Sequence, residues 1–142
     1  MFPAVLSLFL LSVTLMLTSM LPSFGSAYHE CLASAMARNF IAYSDAALRH
    51  HSANPDTESI GNASLELPAG YRYLAPWRIE RIGDAFYAFG TPSHEVSLSE
   101  LVRLSGGRAG IKRDGRLQPY GTELPHGIPD GSVAAVLDDS SA

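Results

Sequence analysis

The residues most able to do chemistry in this chain are five histidines, one cysteine, a glycine-rich stretch ending in a lysine, and scattered carboxylates. His50 and His51 are adjacent, so on a helix they point about 100° apart and cannot chelate one ion together. Their place beside Asn54-Pro55 instead suits cationic groups complementing a helix C-terminus. His29, His94 and His126 stand apart, with no cysteine or carboxylate at ligand spacing, so no metal site is predicted. Gly106-Gly107-Arg108-Ala109-Gly110-Ile111-Lys112 resembles a phosphate-binding loop in composition only. It lacks the GxxxxGK[ST] spacing and leads into a hairpin, whereas a phosphate loop leads into a helix. No GxSxG, HExxH or paired-carboxylate pattern is present. Asn62-Ala63-Ser64 fits a glycosylation sequon, a pattern that recurs often by chance. No catalytic, cofactor-binding or metal residue is assigned, and the chain is predicted not to be an enzyme.

Cys31 bounds the redox question, because a lone thiol makes no internal disulfide. On an Ala-rich helical segment it is expected to pack as a small hydrophobe, with pairing between chains the alternative. The 142 residues carry 14 Asp and Glu against 10 Lys and Arg, a mildly acidic balance that argues against a nucleic-acid partner.

No charged residue occurs from Phe2 to Leu21, a run rich in Leu, Val, Phe and Met. A membrane span needs roughly 20 such residues. Residues 1–21 are therefore expected to be a transmembrane anchor, 22–26 a hinge, and 27–142 an extracytoplasmic domain. The alternative is a cleaved signal peptide, since Gly25-Ser26-Ala27 supplies small residues where a signal peptidase would cut. Against that, the basic n-region is missing and the apolar run exceeds the usual ~7–15 residues. The first basic residue after the run is Arg38, so flanking charge hardly orients the chain.

The elements that must carry these residues follow from periodicity. Tyr28, Leu32, Met36, Phe40, Tyr43 and Ala47 recur at helical steps, with Ala35, Ile41 and Leu48 widening the face. That spacing predicts an amphipathic helix over about 27–52. Residues 56–64 read as a loop, and Leu65-Glu66-Leu67 as a short alternation stopped by the turn Pro68-Ala69-Gly70. Trp77 to Ile82 and Ala85 to Phe89 read as strands joined by Gly83-Asp84, a type II′ signature. Neither parity of that hairpin is purely apolar. Ser97-Leu98-Ser99-Glu100 is a capping box that opens a short helix packing Leu101, Val102 and Leu104 and ending at Gly106-Gly107. Asp114-Gly115 marks a type I′ hairpin, Val133 to Leu137 is an apolar strand, and 138–142 is a frayed tail. The predicted class is α+β: an N-terminal transmembrane helix, then a long amphipathic helix packed on a small antiparallel β-sheet.

Two features point to association. Ser7 and Thr14, and Ser12 and Ser19, recur at heptad spacing, where small hydroxyl residues line helix contacts in lipid; bonding back to the helix is the equal alternative. Tyr71, Tyr73, Trp77, Phe86, Tyr87 and Phe89 crowd into one stretch, more than one face of a small sheet needs, leaving some for a partner surface.

In layout the chain resembles the small PilM proteins of conjugative-plasmid thin pili, a type IV pilus system distinct from the actin-like cytoplasmic proteins of the same name. The likeness rests on the N-terminal apolar run, on Ala37-Arg38-Asn39-Phe40-Ile41-Ala42-Tyr43, on Leu65-Glu66-Leu67-Pro68-Ala69-Gly70-Tyr71 and on Trp77. The resemblance implies a non-enzymatic inner-membrane component of the pilin transport apparatus or pilus basal body, with its domain in the periplasm and a role supporting conjugation. Implied partners are other pilus-assembly membrane proteins and pilin, with the membrane reached by one helix and a homo-oligomer open. The family supplies no catalytic motif to carry over. The alternatives are a secreted periplasmic binding protein released by signal peptidase and a pseudopilin-like minor subunit. Gly25 and Glu30 evoke a prepilin cleavage site, but there the glycine precedes the apolar helix and here it follows.

Overall fold

The computed structural model describes residues 2–137 and, within them, the side chains of 3–18 and 25–137. The predicted tail, 138–142, lies outside the described residues. One helix, α1 (Phe2–Ala53), takes up the whole N-terminal third. Its backbone stays helical through 22–26, where a hinge was expected. The Leu-, Met- and Ala-rich turns on either side outweigh the helix-breaking tendencies of Pro22 and Gly25.

The expected transmembrane helix is a further correction. No helix among the described residues is long and apolar enough to cross a membrane. The hydroxyls expected at helix contacts turn inward on their own helix. Ser7 donates to the Pro3 carbonyl at 2.7 Å, Ser12 to Phe9 at 2.8 Å and Thr14 to Leu10 at 2.7 Å. Ser19 lies outside the described side chains.

The amphipathic face of α1 engages the domain from Met36 onward. Met36, Ala37, Phe40, Ile41, Tyr43 and Ala47 are buried, whereas Tyr28 is 67% exposed although it is in phase with them. Periodicity fixes a side chain's direction; it does not say where the neighbouring layer stops. That layer is a six-stranded antiparallel sheet ordered β1-β2-β6-β3-β4-β5: β1 (Arg78–Ile82), β2 (Ala85–Gly90), β3 (Ala109–Arg113), β4 (Arg116–Gln118), β5 (Thr122–Glu123) and β6 (Val133–Val136). The α+β class and the antiparallel sheet therefore hold. Residues 65–67 form no strand; Leu65 and Leu67 pack on the core from a loop. Both hairpin turns match their chemistry. Gly83 has φ 66° with no positive φ at Asp84, as type II′ needs, and Asp114 (53°) and Gly115 (77°) are both positive, as type I′ needs.

The short helix α2 (Leu98–Ser105) sits against α1 and β3. The Ser97 side chain accepts from the Glu100 N–H at 3.3 Å, Gly106 closes the helix at φ 64°, and Leu101 is fully buried. The Ser97 N–H donates to the Ala33 carbonyl at 3.1 Å, tying the start of α2 to α1.

The hairpin's doubtful parity resolves into a sheet covered on both faces. Ile79, Phe86, Ala88, Ala109, Ile111 and Val133 face α1. Phe89, Leu117 and Ala134 face the other way, beneath Leu124 and Ile128 of the segment that follows β5. Gly110 lies under the returning chain, where a Cβ would run into the Gln118 carbonyl oxygen. Lys112, the only lysine, is 4% exposed. Its Nζ donates to the Pro125 carbonyl at 2.9 Å and to that of Ile128, so the ammonium clamps the covering segment onto the sheet. Lys112→Met keeps the stem but leaves two carbonyls without their donor. It should cost about 1–3 kcal/mol, read as a lower urea midpoint, while Arg113→Ala on the exposed neighbour should stay within about 0.5 kcal/mol.

Candidate functional site

The polar centre of the domain is built on Asn39, an intrinsically poor helix residue placed one position before the buried Phe40. Its Oδ1 accepts from Trp77 Nε1 at 2.7 Å, from the Leu74 N–H at 3.2 Å and from the Tyr71 hydroxyl at 3.0 Å. Its Nδ2 donates to the Arg72 carbonyl at 2.6 Å. The Tyr71 hydroxyl also lies 2.9 Å from the Asn39 carbonyl, so one proton is shared between two acceptors. A second amide completes the set: Tyr43 donates to Asn62 Oδ1 at 2.6 Å, and Asn62 Nδ2 donates to the Trp77 carbonyl at 2.9 Å. The sequon asparagine is thus engaged by its amide nitrogen, the atom that glycosylation would need.

Aromatic rings surround this network. Phe40 meets Trp77 edge-on at 5.0 Å, Tyr71 meets Tyr73 at 5.2 Å and Tyr43 meets Tyr73 at 6.0 Å. Burial, with the neighbouring phenols adding to it, pushes the Tyr43 and Tyr71 hydroxyls well above their ordinary value near 10. They stay protonated at neutral pH and serve as donors, not as bases or nucleophiles. Of the six crowded aromatic residues Trp77, Phe86 and Phe89 are buried, Tyr71 and Tyr87 pack partly buried against the core, and Tyr73 is 45% exposed, so most of the cluster is core.

Beside the network lies a cleft of about 420 Å³ lined by Tyr73, Pro76, Trp77, Arg78, Phe89 and Gly90. Gly90 must be bare, since a Cβ there would sit 2.6 Å from the Trp77 ring. A groove of about 700 Å³ follows the outer side of α1 past Glu30, Cys31, Arg38 and Ala42 to Tyr71. Cys31 is exposed there, a correction to its expected packing as a small hydrophobe. The helical segment is Ala-rich, but Cys31 precedes the turns that meet the sheet. Between α1 and α2, His29, Glu30, Glu95 and Glu100 line a third hollow. Among the described residues no group of three or more His, Cys, Asp or Glu could hold a metal ion. His50 and His51 occupy the last turn of α1, and the His51 ring packs on Phe86 at 4.8 Å.

The sequence analysis gave Asn39 no role of its own and read Asn62 only as part of a glycosylation sequon. The available signal was an amide flanking the apolar face of a helix, four residues before Tyr43. Asn39→Ala removes an acceptor from the buried indole and should cost about 1–3 kcal/mol. Trp77 is the only tryptophan, so its fluorescence reports the loss directly as a red shift. The phenols also give the stability a sign with pH. Their folded values lie above the unfolded one, so their contribution is complete below pH ~10 and is lost as pH rises beyond it. Stability should hold to about pH 9 and then fall, with Tyr43→Phe flattening the fall in a urea-midpoint series against pH.

No curated protein and no solved structure matches this chain. A family model does: the PilM model aligns with residues 9–136, which takes in α1 from Phe9, the asparagine–tyrosine–tryptophan network and all six strands. The chain belongs to the PilM family, whose members take part in pilus biogenesis.

Proposed function

We propose that this protein is a non-enzymatic assembly component of a type IV (thin) pilus, working in the pilin transport apparatus or pilus basal body and supporting conjugation. The single observation that carries the reading is the family match across residues 9–136. Assembly work needs surfaces that hold partners in place, and the polar groups at the centre of this domain are spent on one another. In this reading the α+β domain acts on the extracytoplasmic side, and its partners are pilin and other assembly proteins. The apolar end of α1 and the cleft beside Trp77 are surfaces that such partners would meet.

Deleting the gene should abolish pili while pilin is still made, and a plasmid copy should restore them. Electron microscopy of the deletion strain with a pilin immunoblot reads both. Normal piliation without the gene would sink the assembly role. A phosphatase reporter on the C-terminus should be active, and an inactive one would place the domain on the other side.

A further inference from the structure

The sheet's longer edge is the outer side of β1, and its hydrogen-bonding groups can be assigned from the register. Ile82 and Ala85 flank a two-residue turn and form a bonded pair, so by alternation Glu80–Tyr87 and Arg78–Phe89 are bonded pairs too. Ile79 and Arg81 therefore point their N–H and C=O groups away from β2. Among the described residues no hydrogen bond reaches those groups. The edge contains no proline and its five pairings run without a bulge, so the charges of Arg78, Glu80 and Arg81 are what guard it, and they favour a partner of matching charge pattern. Its arginines lie back on the sheet, Arg78 over the Phe89 ring at 4.8 Å and Arg81 toward the Phe86 ring at 5.9 Å.

We propose that the outer edge of β1 is the docking strand for an extended, acidic segment of an assembly partner, an inference that rests on the assembly role above. An added strand would bond to Ile79 and Arg81 through its main chain, and alternate side chains would set specificity. Residues three apart in a strand face opposite sides, so Arg78 and Arg81 put one cation on each face. Glu80 lies on the same face as Arg78, 3.9 Å away, so the cation on the other face, Arg81, is the one left unopposed, while the Arg78 pair is exposed and weak enough to exchange its carboxylate for a partner's. The matching segment carries two carboxylates three residues apart. At the N-terminal end of the strand Asn62 occupies the Trp77 carbonyl and closes the edge. There the cleft of Tyr73, Pro76 and Trp77 opens, with room for a bulky apolar side chain. A second copy of this chain is a poor occupant: antiparallel β1–β1 pairing about Glu80 would set two Glu80 side chains directly opposite.

The test uses the full-length protein and a short synthetic peptide of alternating valine and threonine, with two glutamates three residues apart and a terminal phenylalanine. Hydrogen–deuterium exchange should slow by about tenfold over 78–82 when the peptide is present, and a lysine-for-glutamate peptide should bind about tenfold more weakly. Arg81→Pro removes an outward N–H and leaves the β1–β2 ladder whole. It should abolish both peptide binding and piliation, whereas Arg81→Ala, which keeps the N–H but loses one cation, should weaken peptide binding only a few-fold and still support pili. Unchanged exchange over 78–82, or a folded Arg81→Pro protein that supports normal pili, overturns the proposal. Should Arg81→Pro unfold by circular dichroism, peptide protection of the wild-type chain decides alone. Peptide protection alongside normal pili in the deletion strain would place the failure in the assembly role and not in the edge.

Discussion

The amide of Asn39 is the contact on which the arrangement of helix and sheet depends. Buried indole and phenol groups must hydrogen-bond or carry a desolvation cost, and here their partner is one side chain on α1. Because the amide also accepts from Leu74 and donates to Arg72, it fixes the backbone of the segment entering β1, not only two side chains. Apolar packing alone would let the sheet slide along α1 by a fraction of a turn. A donor and an acceptor at set positions permit one register. Asn62 extends the same constraint to the loop before β1, so that helix, loop and strand meet at Trp77.

The second constraint acts on the other face of the sheet. A small domain with helices on only one face of a six-stranded sheet would leave Phe89, Leu117 and Ala134 in water. The segment after β5 covers them with Leu124 and Ile128, and Lys112 holds it by its main-chain carbonyls. The glycines that matter here are those over which another group passes closely: Gly110 beneath Gln118 and Gly90 against Trp77. Both positions explain why the strands carry glycine where a larger residue would otherwise strengthen them.

Much of this was legible because it is local. The II′ turn at Gly83, the I′ turn at Asp114-Gly115 and the capping box at Ser97 each depend on a few neighbouring residues, and each formed as its chemistry requires. The phase of α1 was legible as well, down to Met36, Phe40 and Tyr43. What failed depends on distant chain. The break expected at 22–26 ignored the helical context on both sides. Tyr28 was in phase but beyond the sheet's reach, and Cys31 is exposed for the same reason. The hairpin's mixed parity was a true signal of two covered faces, unreadable until the covering segment was known. Asn39 escaped notice because a helix asparagine has no pattern of its own, and its value lies in groups more than thirty residues away.

α1 runs unbroken from Phe2 to Ala53, so its two ends belong to one helix. A flexible joint would let the apolar end and the folded domain adopt independent headings. A continuous helix instead locks azimuth to length, since each residue added between them turns the domain by about 100° as it lifts it by 1.5 Å. The direction in which the β1 edge and the Trp77 cleft look is therefore set by the number of residues in the shaft. An inserted residue would swing those surfaces away from a fixed neighbour, whereas seven would bring them back to within about 20° of their heading, some 10 Å farther out. Along such a continuous helix, reach and rotation cannot be changed separately.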